Sequence, residues 1–172
     1  MVPGKGPERA ALVVVGEAPG AEEDRRGEPF VGRAGALLDR ALEQAGVDRA
    51  TLFVTNVVKC RPPGNRKPTK EEAAACRPFL EGELERVGAS VALALGGTAA
   101  TALAGRKVEV SKAAPDPTPA QVGERRVAVV ATLHPSASRF RKGVVEQIAK
   151  SAGRAADEAG LPRANPGRQA KR

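Results

Sequence analysis

The chain has 172 residues, the usual length of a single domain, and enough to bury a sizeable core. It contains no apolar run close to the roughly 18 residues that a membrane span requires, and no secretory leader pattern opens it, which favours a cytoplasmic protein. The net charge of +8 favours a polyanionic partner, most often nucleic acid, over a plain compositional bias toward Arg. We expect one domain over residues 1–155 and a disordered basic tail over residues 156–172.

Four short apolar runs are nearly continuous in Val, Leu and Ala, which is typical of strands buried on both faces of a parallel sheet. These runs cover residues 11–15, 52–58, 91–95 and 127–133. The segments that follow predict helices, one of which opens on a capping box of Thr69 and Glu72. The helices are predicted over residues 32–46, 69–88, 98–105 and 141–160, with a Pro-rich loop over residues 112–124. This alternation predicts a three-layer α/β/α sandwich around a central four-stranded parallel sheet, with ligands at the carboxyl ends of the strands.

The loop after the first predicted strand, GEAPGAEEDRRGEPFVG, has an unusual composition for a basic protein. Gly16 and Gly20 let the backbone turn sharply and approach a ligand. Glu17 and Glu23 belong to a cluster of acidic residues, which either has a functional role or simply faces solvent on an exposed loop. Phe30 is one of four Phe residues and is either a ligand contact or a plug in the core.

The second predicted strand contains Asn56 inside an otherwise apolar run. Its amide offers a donor and an acceptor, which suits the edge of a base, but an Asn can equally satisfy the backbone of a turn. The following RPPGNRK segment, with Arg61, Asn65 and Arg66, predicts a rigid basic turn that contacts phosphates.

The fourth predicted strand ends in TLHPSASRFRK, which contains the single histidine, His134. A lone His is either structural or catalytic, and its place at a strand end keeps both alternatives open. Donors and positive charge for a phosphate backbone follow it, at Ser136, Ser138, Arg139 and Arg141. The chain contains neither a P-loop nor a G-x-S-x-G nucleophile elbow.

Cys60 and Cys76 are the only two cysteines. They are a disulfide, half of a metal site, or two unrelated buried thiols. A reducing cytoplasm argues against the disulfide.

The segments GEAPGAEEDRRGEPFVGRAG, NVVKCRPPGNRKPTKEEAAAC and HPSAS resemble the family 4, iron–sulfur-containing uracil-DNA glycosylases of bacteria and archaea. The similarity runs from about residue 4 to residue 150. The resemblance implies a nucleoid-associated, monomeric enzyme of base-excision repair. Such an enzyme flips uracil out of single- or double-stranded DNA and hydrolyses its N-glycosidic bond, which leaves an abasic site.

The resemblance also implies roles for the residues at these strand ends. Phe30 would stack on the flipped uracil, Asn56 would bind its pyrimidine edge, and His134 would donate to its O2. Glu17 and Glu23 would stand near the sugar, where either one would position water or stabilise positive charge. The backbone of the segment Gly16, Ala18 and Gly20 would line the pocket. The residues implied to contact DNA are Arg61, Asn65, Arg66, Ser136, Ser138, Arg139 and Arg141.

The chain departs from the family pattern in its DNA-wedging segment. Ser138 and Arg139 stand where the family carries a Leu that wedges into the gap left by the base, so Phe140 or Arg139 would have to replace it. A second His that traps the abasic sugar in some relatives has no counterpart here.

The family binds a [4Fe–4S] cluster through four cysteines, of which Cys60 and Cys76 match two. The other two form a C-x-x-C pair before the first strand, so either the true start lies upstream of Met1 or the cluster is lost, and we favour the first. Two other readings remain: a non-catalytic nucleic-acid-binding relative or truncated, cluster-less paralogue, and an unrelated small-molecule hydrolase on this fold.

Overall fold

A computed structural model describes residues 1–110 and 116–164. Five strands form one sheet in the order β2-β1-β3-β5-β4. They are β1 (Leu12–Gly16), β2 (Phe53–Asn56), β3 (Val91–Leu95), β4 (Thr118–Val122) and β5 (Arg125–Thr132). The four predicted strands are present, and all of them pair in parallel.

The prediction of a four-stranded, wholly parallel sheet is wrong in one respect, because β4 adds a fifth strand antiparallel to β5. This strand lies within the segment predicted as the Pro-rich loop 112–124, of which residues 112–115 lie outside the described residues. Its residues are mostly exposed and include Pro119, so the segment shows no apolar run. A hairpin to β5, and not hydrophobic burial, makes it a strand.

Five α-helices accompany the sheet within the described residues. They are α1 (Ala21–Arg26), α2 (Arg33–Ala45), α3 (Lys70–Val87), α4 (Gly97–Ala104) and α5 (Val144–Glu158). The predicted capping box is confirmed, because the Thr69 hydroxyl accepts from the Glu72 amide at 3.2 Å and the Glu72 carboxylate accepts from the Thr69 amide at 2.8 Å. Helix α1 lies in a segment that we predicted as a loop. Its six residues are all polar except Ala21, so the segment has no apolar face that would indicate a helix.

The sandwich is confirmed by two apolar clusters on opposite faces of the sheet. One unites the buried faces of α2 and α5 with Leu12, Val14 and Leu93 of the strands. The other unites α3 and α4 with Val13 and Val15. Alternate residues of one strand thus enter different clusters, as a sheet buried on both faces requires. Within the described residues, no helix is both long and apolar enough to cross a membrane.

The tail does not begin at residue 156, because α5 continues to Glu158 and buries Ala156. The residues after α5 pack against the end of α2. The Ala164 amide donates to the Gly46 carbonyl at 2.8 Å, and the Arg163 guanidinium donates to the Ala45 carbonyl at 2.8 Å. The remainder of the predicted tail, residues 165–172, lies outside the described residues.

The outer edge of β2 is covered by the start of the chain. Lys5 forms an antiparallel bridge with Val54 through two backbone hydrogen bonds of 2.9 and 2.8 Å. At the other end of the sheet, the four parallel strands finish side by side at Gly16, Asn56, Leu95 and Thr132. The loops that follow these strands therefore meet at one edge, where the sequence predicts the site.

Candidate active site

A cleft of about 670 Å³ opens at the carboxyl edge of the sheet, between the loops that follow β1, β2, β3 and β5. It brings together most of the residues singled out from the sequence. Those that line it are Glu17, Ala18, Gly20, Glu23, Phe30, Asn56, Asn65, Arg66, His134, Ser136 and Arg139. Gly16, Arg61, Ser138 and Arg141 are not part of its lining.

Gly16 lies directly beneath the cleft, against the Phe30 ring and the Asn56 side chain, and its lack of a side chain leaves room for both. A Cβ at this position would overlap the ring of Phe30 and would lie 2.5 Å from the Asn56 Oδ1. Real Cβ atoms do not come this close to other atoms, so any larger residue would push the ring and the amide apart. Glycine at the end of β1 thus allows an aromatic face and an amide to converge.

Phe30 contributes an aromatic face with little freedom to move. Its side chain is only 5% exposed, and its ring centroid lies 6.3 Å from that of His134, with a tilt of 40° between the planes. Its backbone has a φ of +54°, the left-handed conformation that few aromatic residues adopt.

Asn56 is buried, yet its side-chain amide makes no hydrogen bond within the described residues. Its backbone carbonyl accepts from the Lys59 ammonium at 2.8 Å. This ammonium is buried and also donates to the Thr55 hydroxyl at 2.7 Å and the Glu83 carboxylate at 2.6 Å. Burial lowers the pKa of Lys59, and the Glu83 carboxylate opposes that change. The backbone of Asn56 is therefore fixed while its amide remains available to a ligand.

His134 has a defined protonation pattern. Its Nδ1 accepts from the Ser136 amide at 3.2 Å and lies 2.8 Å from the Ser136 hydroxyl, so the proton of a neutral ring is on Nε2. Burial lowers the pKa of His134, while Glu17 and then Glu23 act in the opposite direction. The ring is thus neutral at pH 7, with Nε2–H free to donate.

The two carboxylates differ in what they bind. One oxygen of Glu17 accepts from the Thr98 hydroxyl, and its other oxygen has no partner among the described residues. Both oxygens of Glu23 are used by backbone amides, those of Gly20 at 3.1 Å, Val31 at 3.1 Å and Gly32 at 2.8 Å. Of these two side chains, only Glu17 has a carboxylate oxygen without a hydrogen bond among the described residues, and this oxygen is available to a water molecule.

The predicted basic turn after β2 is largely occupied with its own bonds. The Arg61 guanidinium donates to the Asn65 side chain at 2.7 Å, and the Arg66 guanidinium makes a paired contact with both Glu72 oxygens at 2.8 and 2.7 Å. The hydrogen bonds from Arg66 lower the pKa of Glu72 to about 2, so the Glu72 carboxylate is charged at pH 7. Its negative charge offsets the positive charge that Arg66 brings to the cleft. In contrast, Phe140 is 93% exposed at the end of the segment that follows His134.

Thr98, Gly96 and Gly97 also line the cleft, and the sequence reasoning missed them. The signal was available, because the GGT segment directly follows β3. The strand-end rule, which pointed to the other three loops, applied equally to this one. The segment is not a phosphate loop of the P-loop type, because it lacks the Lys.

The chain matches known proteins over almost its whole length. The family model of the uracil DNA glycosylase superfamily matches residues 3–151. A type-4 uracil-DNA glycosylase of Thermotoga maritima is 42% identical over 158 residues, which cover 88% of this chain and 81% of the relative. The chain belongs to the type-4 uracil-DNA glycosylases.

Other relatives of the superfamily fit the same placement. A type-4 uracil-DNA glycosylase of Archaeoglobus fulgidus is 40% identical over 160 residues, which cover 85% of this chain and 75% of the relative. A type-5 uracil-DNA glycosylase of Pyrobaculum aerophilum is 35% identical over an alignment of 185 positions, which covers 92% of this chain and 76% of the relative.

The two cysteines are free thiols and not a disulfide. Cys60 is exposed, while Cys76 is half-buried and its Sγ accepts from the Lys59 amide at 3.4 Å. A [4Fe–4S] cluster is held by four thiolates. The described residues contain no group of three or more His, Cys, Asp or Glu side chains that could hold a metal ion, so they do not form a complete cluster site.

Proposed function

We propose that the chain is a uracil-DNA glycosylase of base-excision repair, which flips uracil out of DNA and hydrolyses its N-glycosidic bond. One observation carries this proposal: the aromatic face of Phe30, the free amide of Asn56 and the Nε2–H of His134 converge in one cleft. Enzymes that act on a flipped base read it by stacking and by hydrogen bonds to its edge.

Base recognition follows from the pair of groups above Gly16. The Phe30 ring would stack on the flipped uracil. The Asn56 amide can donate to a base carbonyl and accept from a ring N–H, so it would bind the pyrimidine edge. Because the backbone carbonyl of Asn56 is held by Lys59, the backbone that carries the amide is fixed before the base arrives.

The leaving group is stabilised by His134. As the bond between C1′ and the base breaks, its electron pair moves to the uracil and negative charge grows on O2. A neutral Nε2–H directed at this oxygen stabilises that charge without the cost of reorganising solvent. The Ser136 amide keeps the proton on Nε2, which gives Ser136 a positioning role beside any contact with DNA.

Glu17 is the carboxylate that we assign to the sugar and the water. The water oxygen bonds to C1′ and gives its proton to the carboxylate, while the negative charge of Glu17 opposes the positive charge that develops on the sugar. Thr98 holds the other carboxylate oxygen. Glu23 instead fixes the loop backbone, since both of its oxygens are already used.

Arg139, Ser138 and Arg141 would contact the DNA backbone, and Phe140 would fill the gap left by the flipped base. An apolar wedge of this kind partly unstacks a base step. Phe140→Ala should slow uracil release from double-stranded DNA more than from single-stranded DNA. Phe79→Ala is the matched control, because Phe79 is also exposed, at 53%, and does not line the cleft.

Cys60 and Cys76 remain candidates for two of the four thiolates that a [4Fe–4S] cluster needs. Iron content and visible absorbance of the purified protein test this assignment. No step of the reaction above passes through a cluster. A cytoplasmic, monomeric protein also remains a prediction, and light scattering of the purified chain tests the monomer.

The decisive experiment is a glycosylase assay on an oligonucleotide with one uracil. The protein should release uracil, and His134→Ala should lower the single-turnover rate by about 100-fold or more, the usual effect of losing one charge-stabilising donor. Asn56→Asp should reduce the rate strongly as well. A protein that binds the oligonucleotide but releases no base would be a non-catalytic relative, and the proposal would fail.

A further inference from the structure

The backbone of Phe30 is held in a conformation that an aromatic residue does not choose by itself. Its φ of +54° lies in the left-handed region, in the turn that precedes α2. Strained backbone of this kind persists only where the surroundings determine it, and it occurs often at functional sites. The residues that impose it are therefore candidates for a functional role.

The Arg49 side chain binds the backbone carbonyls of this turn. It lies outside the cleft, in the short 3₁₀ helix Arg49–Thr51 between α2 and β2. One guanidinium nitrogen donates to the carbonyl of Phe30 at 3.0 Å and to that of Pro29 at 3.3 Å. A second nitrogen pairs with the Asp39 carboxylate, which aims the guanidinium at the turn.

The same turn is held from its other side. The Glu23 carboxylate accepts from the amides of Val31 and Gly32, which directly follow Phe30. Helix α2 also closes on the turn, since a Cβ on Gly35 would overlap the Phe30 carbonyl. A cation on the carbonyls and an anion on the amides thus fix opposite sides of one peptide turn.

We propose that Arg49 is a positioning residue, which holds the Phe30 turn in its left-handed conformation and so sets the aromatic face that meets the flipped base. The inference rests on the proposed function for its effect on activity, but not for its effect on the conformation of the turn. A planar fork that reaches two carbonyls and a carboxylate together cannot be replaced by the single ammonium of Lys.

The conformational part can be tested without any activity. The chain has four Phe residues, so Phe-selective ¹³C labelling gives four Cα signals in an NMR spectrum. Arg49→Ala should move the Phe30 signal away from its left-handed value and leave those of Phe53, Phe79 and Phe140 in place. Arg49→Lys should give an intermediate shift. An unchanged Phe30 signal in Arg49→Ala would overturn the inference.

The functional part is a double-mutant cycle between Arg49→Ala and Phe30→Leu, read as single-turnover uracil release. With Phe30 present, Arg49→Ala should lower the rate by about 10- to 100-fold, because a small displacement of a positioning group has effects of this size. In the Phe30→Leu background the same change should lower it by less than about threefold. Equal losses in both backgrounds would show that Arg49 does not act through Phe30.

Controls separate this failure from others. Urea unfolding confirms that Arg49→Ala is folded, and if it is not, Arg49→Lys and Asp39→Asn enter the cycle in its place. A wild-type protein that releases no uracil would refute the proposed function, while the NMR experiment would still decide whether Arg49 holds the turn.

Discussion

Two charged pairs hold the backbone at the two base-contacting residues, and they differ in depth. The pair beside Asn56, Lys59 with Glu83, has side chains only 2% and 13% exposed. The pair beside Phe30, Arg49 with Asp39, has side chains 32% and 54% exposed. Both pairs reach a backbone carbonyl, that of Asn56 in the first case and that of Phe30 in the second.

The difference in depth predicts a difference in consequence. A buried pair cannot lose one member without leaving the other charge unpaired in the core, so its loss mainly unfolds the protein. A surface pair contributes little to stability, because water replaces each partner. The Phe30 turn should therefore be open to changes that affect activity alone, while the Asn56 strand end should not.

The largest expected effect comes from Lys59→Met. It leaves the Glu83 carboxylate without its cation, although the Gly4 amide still donates to it at 2.7 Å. We expect the free energy of unfolding to fall by about 3–5 kcal/mol, as for other broken buried pairs. Urea unfolding followed by circular dichroism measures the loss.

The double substitution Lys59→Met and Glu83→Leu is the matched control. Replacing both charges by apolar groups removes the unpaired carboxylate, so most of the lost stability should return. A single Lys59→Met protein as stable as the wild type would show that the two pairs do not differ in the way that their burial suggests.

A second, intermediate effect is expected from Gly35→Ala. The new Cβ would overlap the Phe30 carbonyl, so the turn must move, at a cost of about 1–3 kcal/mol in stability. Uracil release should slow as well, since the turn holds the aromatic face. Gly82→Ala on α3 is the control, because no atom lies near its Cβ position, and it should stabilise the helix by about 0.5–1 kcal/mol. An active Gly35→Ala protein would weaken the link between this turn and catalysis.

The smallest expected effect is the pH dependence of stability that comes from His134. Unlike the two charged pairs, this side chain is held by uncharged groups, the amide and hydroxyl of Ser136. Its pKa in the folded protein is below the ordinary 6.5, so the unfolded chain binds the proton more readily. Stability is thus complete above about pH 6.5 and declines as the pH falls from there through the folded pKa. Urea unfolding of His134→Gln should lack this decline below pH 6.5, since the chain has no other His. The same slope in both proteins would assign it to other groups.

The sequence was sufficient to locate the cleft, because apolar runs reveal parallel strands and parallel strands bring their carboxyl ends together. Phe30, Asn56 and His134, which line the cleft, follow from this reasoning and from the resemblance to the family, as does Gly16 against Phe30 and Asn56. Strand β4 did not follow, because its identity comes from pairing with β5 and not from its own apolar pattern.

Roles that depend on side-chain direction could not be predicted. Glu17 and Glu23 are equal in the sequence, and only the three amides around Glu23 distinguish them. Arg49 carries no signal at all, since it is an ordinary charged residue 19 positions from the carbonyl that it binds. A left-handed Phe is likewise invisible until the backbone is known.

The two edges of the sheet have a consequence for handling the protein at high concentration. An exposed sheet edge is a template for strands of other molecules, and natural proteins block it. Here the Lys5 bridge occupies the edge at β2, and Pro119 removes a backbone donor from β4 at the opposite edge. Within the described residues, neither edge offers an uninterrupted row of free donors and acceptors, so edge-to-edge pairing of sheets from different molecules is disfavoured during expression and concentration.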